Sequence, residues 1–275
     1  MTAVVDLNPK FLFKVPVEGQ CISPDAFAGK NLSEIAKLQL LEGNKQRTLG
    51  ELFEIKGESA DKPEDLKILV HGEVSKVTRI GSGMSAGEIA ISRDAGVHLG
   101  EEMKGGKIIV EGSTDSWLGA MMKGGTIDVR GNAGDYVGAA YRGSVKGMRG
   151  GTITIRGNAG NELGCFMRKG LIKVFGSTAQ FPGIHMKDGT ILVNGDCDGR
   201  AGAEMIGGKV VIQGKIEEVL PTFTIDSVKT KVKVDGDEVA GPFYLFVGDQ
   251  AENGEGKLYV AQSSNPHLKF YEQYL

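Results

Sequence analysis

The sequence predicts an all-β protein built around a right-handed parallel β-helix of seven coils. The first observation is a repeat, because between Val74 and Gly214 one pattern returns every 19 residues. The second is an aliphatic pair, two residues apart, near the end of each unit, as in Ile127 and Val129. This alternation is typical of a strand with one buried face. The third is a pair of columns, meaning positions that hold the same residue type in every unit. Glycine lies seven residues into each unit, and methionine lies three residues later. The methionines are Met84, Met103, Met122, Met148, Met167, Met186 and Met205.

Stacking of the units explains these columns. A short fixed period indicates a solenoid, because a single unit cannot bury its apolar face alone. In a parallel ladder like residues lie about 4.8 Å above one another, so seven coils make a rod of about 34 Å. Aliphatic residues then form the core, methionines fill the space beside them, and glycines lie at the corners. The right-handed winding follows from the general rule for parallel crossovers.

Residues 1–66 are predicted to form an N-terminal arm and cap. Pro9, Pro16 and Pro24 are spaced so that no long element is expected in residues 1–30, which would run extended over a surface. Asn31 is a suitable cap for a short helix that ends at Leu38. Segments 38–41 and 48–55 are expected to be strands on either side of a Gly-Asn turn. This part would cover the unpaired edge of the stack.

The repeat β-helix is assigned to residues 67–214 and a C-terminal cap to residues 215–275. The stack is expected to start with the strand at 67–70, and the period ends at Gly214. Segments 223–234 and 242–247 are predicted strands, and Asp235-Gly236 suits a hairpin turn between them. The aromatic tail from Asn265 to Leu275 either packs on the last coil or contacts a partner.

Composition excludes several classes of protein. The chain has 275 residues, 40% of them hydrophobic, and no apolar run near the length of a membrane span. Its start, MTAVVDLNPKFLFKV, lacks the pattern of a signal peptide, so a cytoplasmic location is expected. A net charge of −3 is not typical of nucleic-acid binding. Cys21, Cys165 and Cys197 are far apart and form no C-x-x-C pair, which argues against zinc, iron–sulfur clusters and disulfides.

Motifs of catalysis are not found among the glycine-rich segments. GAEMIGGK (202–209) is close to a phosphate-binding loop, but Ala203 replaces its first glycine and Val210 the required Ser or Thr. The four histidines share no column. His98 and His185 lie five and nine residues into their units and are expected to face different sides of the rod. We therefore predict no catalytic, cofactor-binding or metal-ligating residue in this chain.

The fourth unit contains an irregularity, since 26 residues instead of 19 separate Gly138 from Gly164. A β-helix tolerates extra residues as a bulge from one corner, and this bulge is expected to carry one aromatic residue and three cations. They are Tyr141, Arg142, Lys146 and Arg149. Two interpretations stay open: a solvated loop, or a docking contact with a partner protein or an anion. These four residues are the candidate partner contacts.

Several segments resemble a known family. The repeats GAMMKGGTIDVRG (119–131) and GCFMRKGLIKVFG (164–176) are similar to those in the C subunit of the tungsten- or molybdenum-type formylmethanofuran dehydrogenases of methanogenic archaea. The blocks PDAFAGKNLSEIAKLQLLEGNK, MSAGEIAI and GNAGDYVGAAYRGSVKGMRGGTI also look like that subunit. The repeat is shared with the C-terminal β-helix of glutamate synthase and with the C subunit of a bacterial formyltransferase/hydrolase complex.

The resemblance implies a non-catalytic scaffold in an oxidoreductase complex. That complex reversibly reduces CO2 with ferredoxin-type electrons and forms N-formylmethanofuran, the first step of methanogenesis. Its tungsto- or molybdopterin, iron–sulfur clusters and binuclear metal centre lie in other subunits of the family. Expected partners are therefore pterin-binding, amidohydrolase-like and ferredoxin-like subunits. The alternatives are the C subunit of a formyltransferase/hydrolase complex, or a methanofuran-binding module that uses Arg142 and Lys146.

Overall fold

Short strands at regular intervals make up most of the chain in a computed structural model that describes residues 2–275. The N-terminal part contains β1 (Ala3–Pro9), β2 (Val17–Glu18), α1 (Pro24–Phe27), α2 (Leu32–Ile35), β3 (Gln39–Glu42), β4 (Lys45–Thr48), α3 (Leu49–Leu52), β5 (Phe53–Gly57) and a 3-10 turn (Pro63–Asp65). The repeat contains β6 (Leu66–Val70), β7 (Val77–Thr78), β8 (Glu88–Ile91), β9 (Lys107–Val110), β10 (Thr126–Val129), β11 (Arg149–Ile155), β12 (Lys169–Val174), β13 (Thr190–Val193) and β14 (Lys209–Ile212). The C-terminal part contains β15 (Thr224–Val234), β16 (Asp237–Gly248), β17 (Gly256–Ala261) and 3-10 turns at Gln250–Glu252 and Pro266–Tyr274.

One long sheet connects the two ends of the chain. Its strand order is β15-β16-β17-β14-β13-β12-β11-β10-β9-β8-β6-β1-β5. Strand β1 pairs in parallel with β6, strands β6 and β8 to β14 continue the parallel series, and β17 ends it next to β14. Antiparallel pairs close both ends of the sheet. Register follows the repeat, since Ile127 lies between Ile108 and Ile153. The prediction of a β protein with a large parallel sheet is therefore confirmed.

A second line of pairing joins successive units at another corner. Single parallel bridges link Val74, Ala95, Thr114 and Ala133, and a second series links Ala159, Thr178, Cys197 and Ile216. The core lies between these two lines. All seven column methionines are at most 1% exposed, and the aliphatic pairs of the strands pack beside them. Each unit is thus held to its neighbours on two sides.

The N-terminal part differs from the sequence-based expectation in two places. Residues 1–30 do contain a substantial element, because β1 lies between β5 and β6 and its Val5 and Leu7 are 0% exposed. Pro9 ends this strand and does not interrupt it. The predicted strand at 48–55 is also wrong in its first half. The backbone N–H of Thr48 donates to Glu51 in a capping box, which starts α3 before β5 begins.

The other predicted elements are closer to the structure. Asn31 caps α2 in a capping box with Glu34, although the helix ends at Ile35 and not at Leu38. Strands β15 and β16 form the predicted hairpin at Asp235-Gly236, where both residues have positive φ. Strand β17 pairs with β14 and continues the parallel ladder. The tail packs on the chain through Leu268, which is 3% exposed, while Tyr274 points to solvent.

Candidate functional site at the insertion

The extra residues of the fourth unit form a surface bulge, residues 140–147, which we call the insertion. Both of its ends are bonded to the next coil: Ala140 N–H donates to the Cys165 carbonyl at 3.1 Å, and Gly147 N–H donates to Phe166 at 3.0 Å. The pairing of β10 with β11 keeps its register across the insertion, with Thr126 facing Thr152, while the pairing of β11 with β12 is irregular between Arg149 and Thr152. The insertion is therefore tied to the following unit by backbone hydrogen bonds at both ends.

The four candidate contact residues have different environments. Tyr141 is half-buried, and its hydroxyl lies 3.0 Å from Nδ1 of His98, so it anchors the insertion to an earlier coil. Arg142 and Lys146 are exposed on the insertion. Arg149, expected in the bulge, is instead the first residue of β11, because the chain has already returned to the ladder at Met148. The bulge itself carries two of the three predicted cations.

A polar network lies beneath the insertion. Glu101 is 5% exposed, and its carboxylate accepts a hydrogen bond from Arg79 Nη1 at 2.5 Å. Nδ1 of His98 is 3.7 Å from the same carboxylate. Burial lowers the pKa of His98, the charge of Glu101 partly opposes this, and the charge of Arg79 lowers the pKa further. Burial and then Glu101 raise the pKa of the Tyr141 hydroxyl, which therefore stays protonated at neutral pH.

Two columns of aromatic side chains border the insertion. Five residues into successive units, His98, Trp117 and Tyr136 stack with ring centroids 5.9 Å and 4.5 Å apart. Nine residues into later units, Phe166 and His185 stack at 4.4 Å. His98 and His185 were expected on different sides, and this is wrong. Tyr141 bonds to His98 and shares one cavity with His185, because both columns lie at the corner where the insertion emerges.

Both columns have left-handed backbone conformations, with φ from 54° to 66° at these five aromatic and histidine positions. Non-glycine residues in this region cost about 1 kcal/mol or more each. Ring stacking offsets part of this, at about 0.5–1.5 kcal/mol per pair. The sequence signal for these columns is position within the unit and not residue type, since the same column also contains Arg79, Glu162 and Arg200.

A cavity of about 340 Å³ opens between the insertion and the two columns. Its wall includes Trp117, Tyr136, Tyr141, Phe166 and His185, and its polar groups include Glu162, Arg142 and Ser144. Burial, followed by the nearby charge of Glu162, raises the pKa of the Cys165 thiol in the wall to about 12. A thiol with this pKa is not a nucleophile at neutral pH. The arrangement is suited to contact with flat or charged groups.

Neither a metal-binding cluster nor a membrane-spanning helix occurs in the part of the chain that the structure describes. Among residues 2–275 there is no group of three or more His, Cys, Asp or Glu side chains that could hold a metal ion. Within the same residues, no helix is long and apolar enough to cross a bilayer.

Together the fold and the site define a mostly β protein with one large parallel sheet and an aromatic-lined surface cavity beside the insertion. No protein-family model matches the chain. The C subunit of tungsten-containing formylmethanofuran dehydrogenase 2 from Methanothermobacter thermautotrophicus is 57% identical over 264 residues, which cover 96% of this chain and 98% of that protein. The chain belongs to this family of formylmethanofuran dehydrogenase C subunits, and the resemblance found in the sequence is confirmed.

Other relatives extend this comparison. The tungsten-type C subunit of Methanothermobacter wolfeii is 45% identical over 94 residues, which span 35% of that protein. A molybdenum-type C subunit of Methanothermobacter marburgensis is 49% identical over 94 residues, 34% of this chain and 23% of that protein. Among solved structures, the formyltransferase/hydrolase complex of Methylorubrum extorquens with methylofuran contains a similar chain. The match has a TM-score of 0.81 and 30% identity, and covers 93% of this chain and 99% of that one.

Proposed function

We propose that this chain is the non-catalytic scaffold subunit of a cytoplasmic formylmethanofuran dehydrogenase complex. The complex would reversibly reduce CO2 with ferredoxin-type electrons and form N-formylmethanofuran. The observation that carries the proposal is 57% identity to a C subunit over 96% of the chain. Residues 67–214 would be a right-handed β-helix, with residues 1–66 and 215–275 as its caps. In this proposal, pairing of the units on two sides gives the stack the stiffness to hold other subunits in register.

The environment of the cysteines supports placing the redox cofactors in partner subunits. Burial raises the pKa of Cys21 to about 11, and burial also raises the pKa values of Cys165 and Cys197 to about 12. Thiolates are the ligands of iron–sulfur clusters and of soft metals, and these three thiols resist deprotonation. In this proposal the tungsto- or molybdopterin, the clusters and the binuclear metal centre are bound by pterin-binding, ferredoxin-like and amidohydrolase-like partners.

The insertion is the proposed contact with one of these partners. Tyr141 fixes its position, Arg142 and Lys146 are exposed on it, and Arg149 is exposed beside it at the start of β11. None of the three cations forms a salt bridge within residues 2–275. Exposed and internally unpaired cations on a rigid loop are available to carboxylates of another subunit.

Reconstitution tests this proposal. The chain co-expressed with the other subunits should purify as a stable complex, and the isolated chain should fold and show no formylmethanofuran turnover. Replacement of Arg142, Lys146 and Arg149 by Ala should lower complex yield several-fold with an unchanged unfolding midpoint. The matched control replaces Lys14, Lys45 and Lys215, three exposed lysines elsewhere, by Ala. Turnover by the isolated chain would refute the scaffold role, and unchanged yield would refute the contact.

A methanofuran-binding module, or the C subunit of a formyltransferase/hydrolase complex, is the second candidate. The observation that favours it is the aromatic cavity beside Arg142, together with a structural neighbour whose complex was crystallised with methylofuran. Calorimetry of the isolated chain with methanofuran separates the two roles. Tight binding that is lost on Trp117→Ala would favour the module, and hydrolysis without CO2 reduction by the assembled complex would favour the hydrolase.

A further inference from the structure

The residue after the core methionine is a cation in five successive units. These residues are Lys104, Lys123, Arg149, Arg168 and Lys187, and we call them the cation ladder. The backbone N–H of each donates to the methionine carbonyl of the preceding unit, at 2.7–2.8 Å. The five residues therefore occupy equivalent positions in adjacent coils. At about 4.8 Å per coil the ladder is about 19 Å long.

The charges of the ladder are only partly balanced inside the chain. Lys123 is paired with Glu102 at 2.7 Å, and Arg168 donates to the Val145 carbonyl of the insertion at 3.2 Å. A hydrogen bond from Lys123 lowers the pKa of Glu102, and the charges of Arg149 and Lys104 lower it further. The single carboxylate of Glu102 thus interacts with three cations. Lys104, Arg149 and Lys187 are exposed and form no salt bridge within residues 2–275.

Further cations surround the ladder. Exposed Lys169 faces Arg149 where β11 pairs with β12. Arg142 and Lys146 lie on the insertion, whose Val145 touches the ladder at Arg168. Like charges in neighbouring strands repel, so this line is unfavourable for the isolated chain. In a chain with a net charge of −3 this line is a local positive patch, which is complementary to an acidic surface of a partner.

We propose that the cation ladder docks an acidic α-helix of a partner subunit, which lies along the axis of the stack. Carboxylates three or four residues apart on a helix are about 5–6 Å from one another, which matches the spacing of the coils. Same-face residues of an extended strand are about 6.6–6.8 Å apart and fit less well. The inference rests on the proposed function, because it names the chemistry of a partner within that complex.

Charge reversal tests the ladder. The variant Lys104→Glu, Arg149→Glu, Lys187→Glu changes its three internally unpaired members, and Lys14→Glu, Lys45→Glu, Lys215→Glu is the control with the same change in charge. Affinity of the full chain for the remaining subunits is measured by interferometry at rising salt. We expect at least a tenfold loss for the ladder variant, a change below twofold for the control, and weaker binding of the wild type as salt increases.

Measuring the thermal stability of the ladder variants distinguishes a loss of binding from a loss of folding. Replacing the same three residues by Gln should leave the thermal midpoint unchanged or higher, because repulsion is relieved, while binding to the subunits still weakens. Loss of midpoint in parallel with loss of binding would mean a structural role and would overturn the proposal. Cross-linking of the complex should connect Lys104 and Lys187 to carboxylates on a single helix of one partner.

The outcomes separate this inference from the proposed function. If the wild-type chain binds none of the subunits, the proposed function fails. If it binds and the ladder variant binds equally well, the function stands and the ladder inference is overturned. A fluorescent single-stranded oligonucleotide is the comparison ligand. If charge reversal removes oligonucleotide binding and leaves subunit binding intact, the occupant is nucleic acid and the acidic helix is rejected.

Discussion

His98 lies next to both the buried carboxylate of Glu101 and the anchor of the insertion, Tyr141, with its Nδ1 3.7 Å from the carboxylate and 3.0 Å from the Tyr141 hydroxyl. Its pKa is below the ordinary value of 6.5, mainly because of burial; the charge of Glu101 opposes this shift, and the charge of Arg79 adds to it. The unfolded chain therefore binds a proton at this residue at a higher pH than the folded chain does. Since stability rises with pH wherever the unfolded state holds more protons, His98 destabilises the fold as pH falls below about 6.5.

The corresponding experiment is chemical unfolding of the wild type and of His98→Asn between pH 7.5 and 5.5. Asn tolerates the left-handed backbone at this position, where φ is 63°. We expect the wild type to lose free energy of unfolding as pH falls, and His98→Asn to lose less. His267→Asn is the control, because that histidine is exposed and forms no ion pair within residues 2–275. Identical pH profiles for the wild type and His98→Asn would contradict the assignment.

Residue identities could be predicted from the sequence only where a column repeats one residue type. The methionine column and the buried aliphatic pairs were predicted because each repeats a single kind of side chain. The aromatic columns were missed, because one of them mixes His98 and Trp117 with Glu162 and Arg200. The cation ladder was also missed, although it lies directly after the methionines. Chemical variety along a column hides it from a search for repeated residues.

At the scale of one coil, the glycines that directly precede the strand in most units limit how closely neighbouring units approach. Gly125 has φ of 84°, and a Cβ there would lie 2.8 Å from the backbone of Gly105 and Gly106 in the preceding unit. Gly143 on the insertion has φ of 85°, and a Cβ there would meet nothing within 4 Å. The two residues thus share backbone conformation and differ in packing.

This pair separates backbone strain from contact between coils. Gly143→Ala should destabilise by about 1 kcal/mol, from the left-handed conformation alone. Gly125→Ala should destabilise by about 3 kcal/mol, because overpacking against the preceding coil adds to the same strain. Urea unfolding of both variants measures the difference. Equal effects at the two positions would show that the spacing of the coils yields to the extra methyl group.

Strands were predicted correctly where the 19-residue period determines their position. The predictions were wrong where local hydrogen bonds or pairing with a distant strand determine the structure. Strands β8 to β14 occupy the predicted ends of the units. The segment at 48–55 reads as a strand by composition, but the Thr48–Glu51 capping box turns its first half into α3. Strand β1 was missed because its partners, β5 and β6, are more than forty residues away in the chain. Long-range pairing leaves no local signal in seven residues.

For the molecule as a whole, the edge strands of the long sheet are where another copy of the chain could pair. The edge strands are β5 and β15. On β15, Lys229, Lys231 and Lys233 are exposed and alternate with other residues along one face. Charged residues, lysine especially, protect sheet edges from pairing with another chain. Lys231 is paired with Glu238 at 2.7 Å, and we expect the three lysines of β15 to keep this end of the sheet closed to further strands.

Removal of these charges should promote self-association. The variant Lys229→Thr, Lys231→Thr, Lys233→Thr keeps strand propensity and removes the charge, so we expect oligomers that grow with concentration in sedimentation velocity. Replacing Lys14, Lys37 and Lys215, which are exposed and lie outside the strands, by Thr removes the same charge elsewhere and should leave the sedimentation profile unchanged. A strictly unchanged profile for the β15 variant would mean that other features protect this edge.

The undisturbed pairing of Thr126 with Thr152 across the insertion has a consequence for how such proteins diverge. Additions at a corner leave the ladder intact, whereas a change of length within a strand would exchange its inner and outer faces. Loss of residues 157–175, one complete repeat, would bring Ile153 opposite Ile191 with every column conserved. Related chains that arise by duplication or deletion of one repeat are therefore expected to differ in the length of the stack by steps of about 4.8 Å.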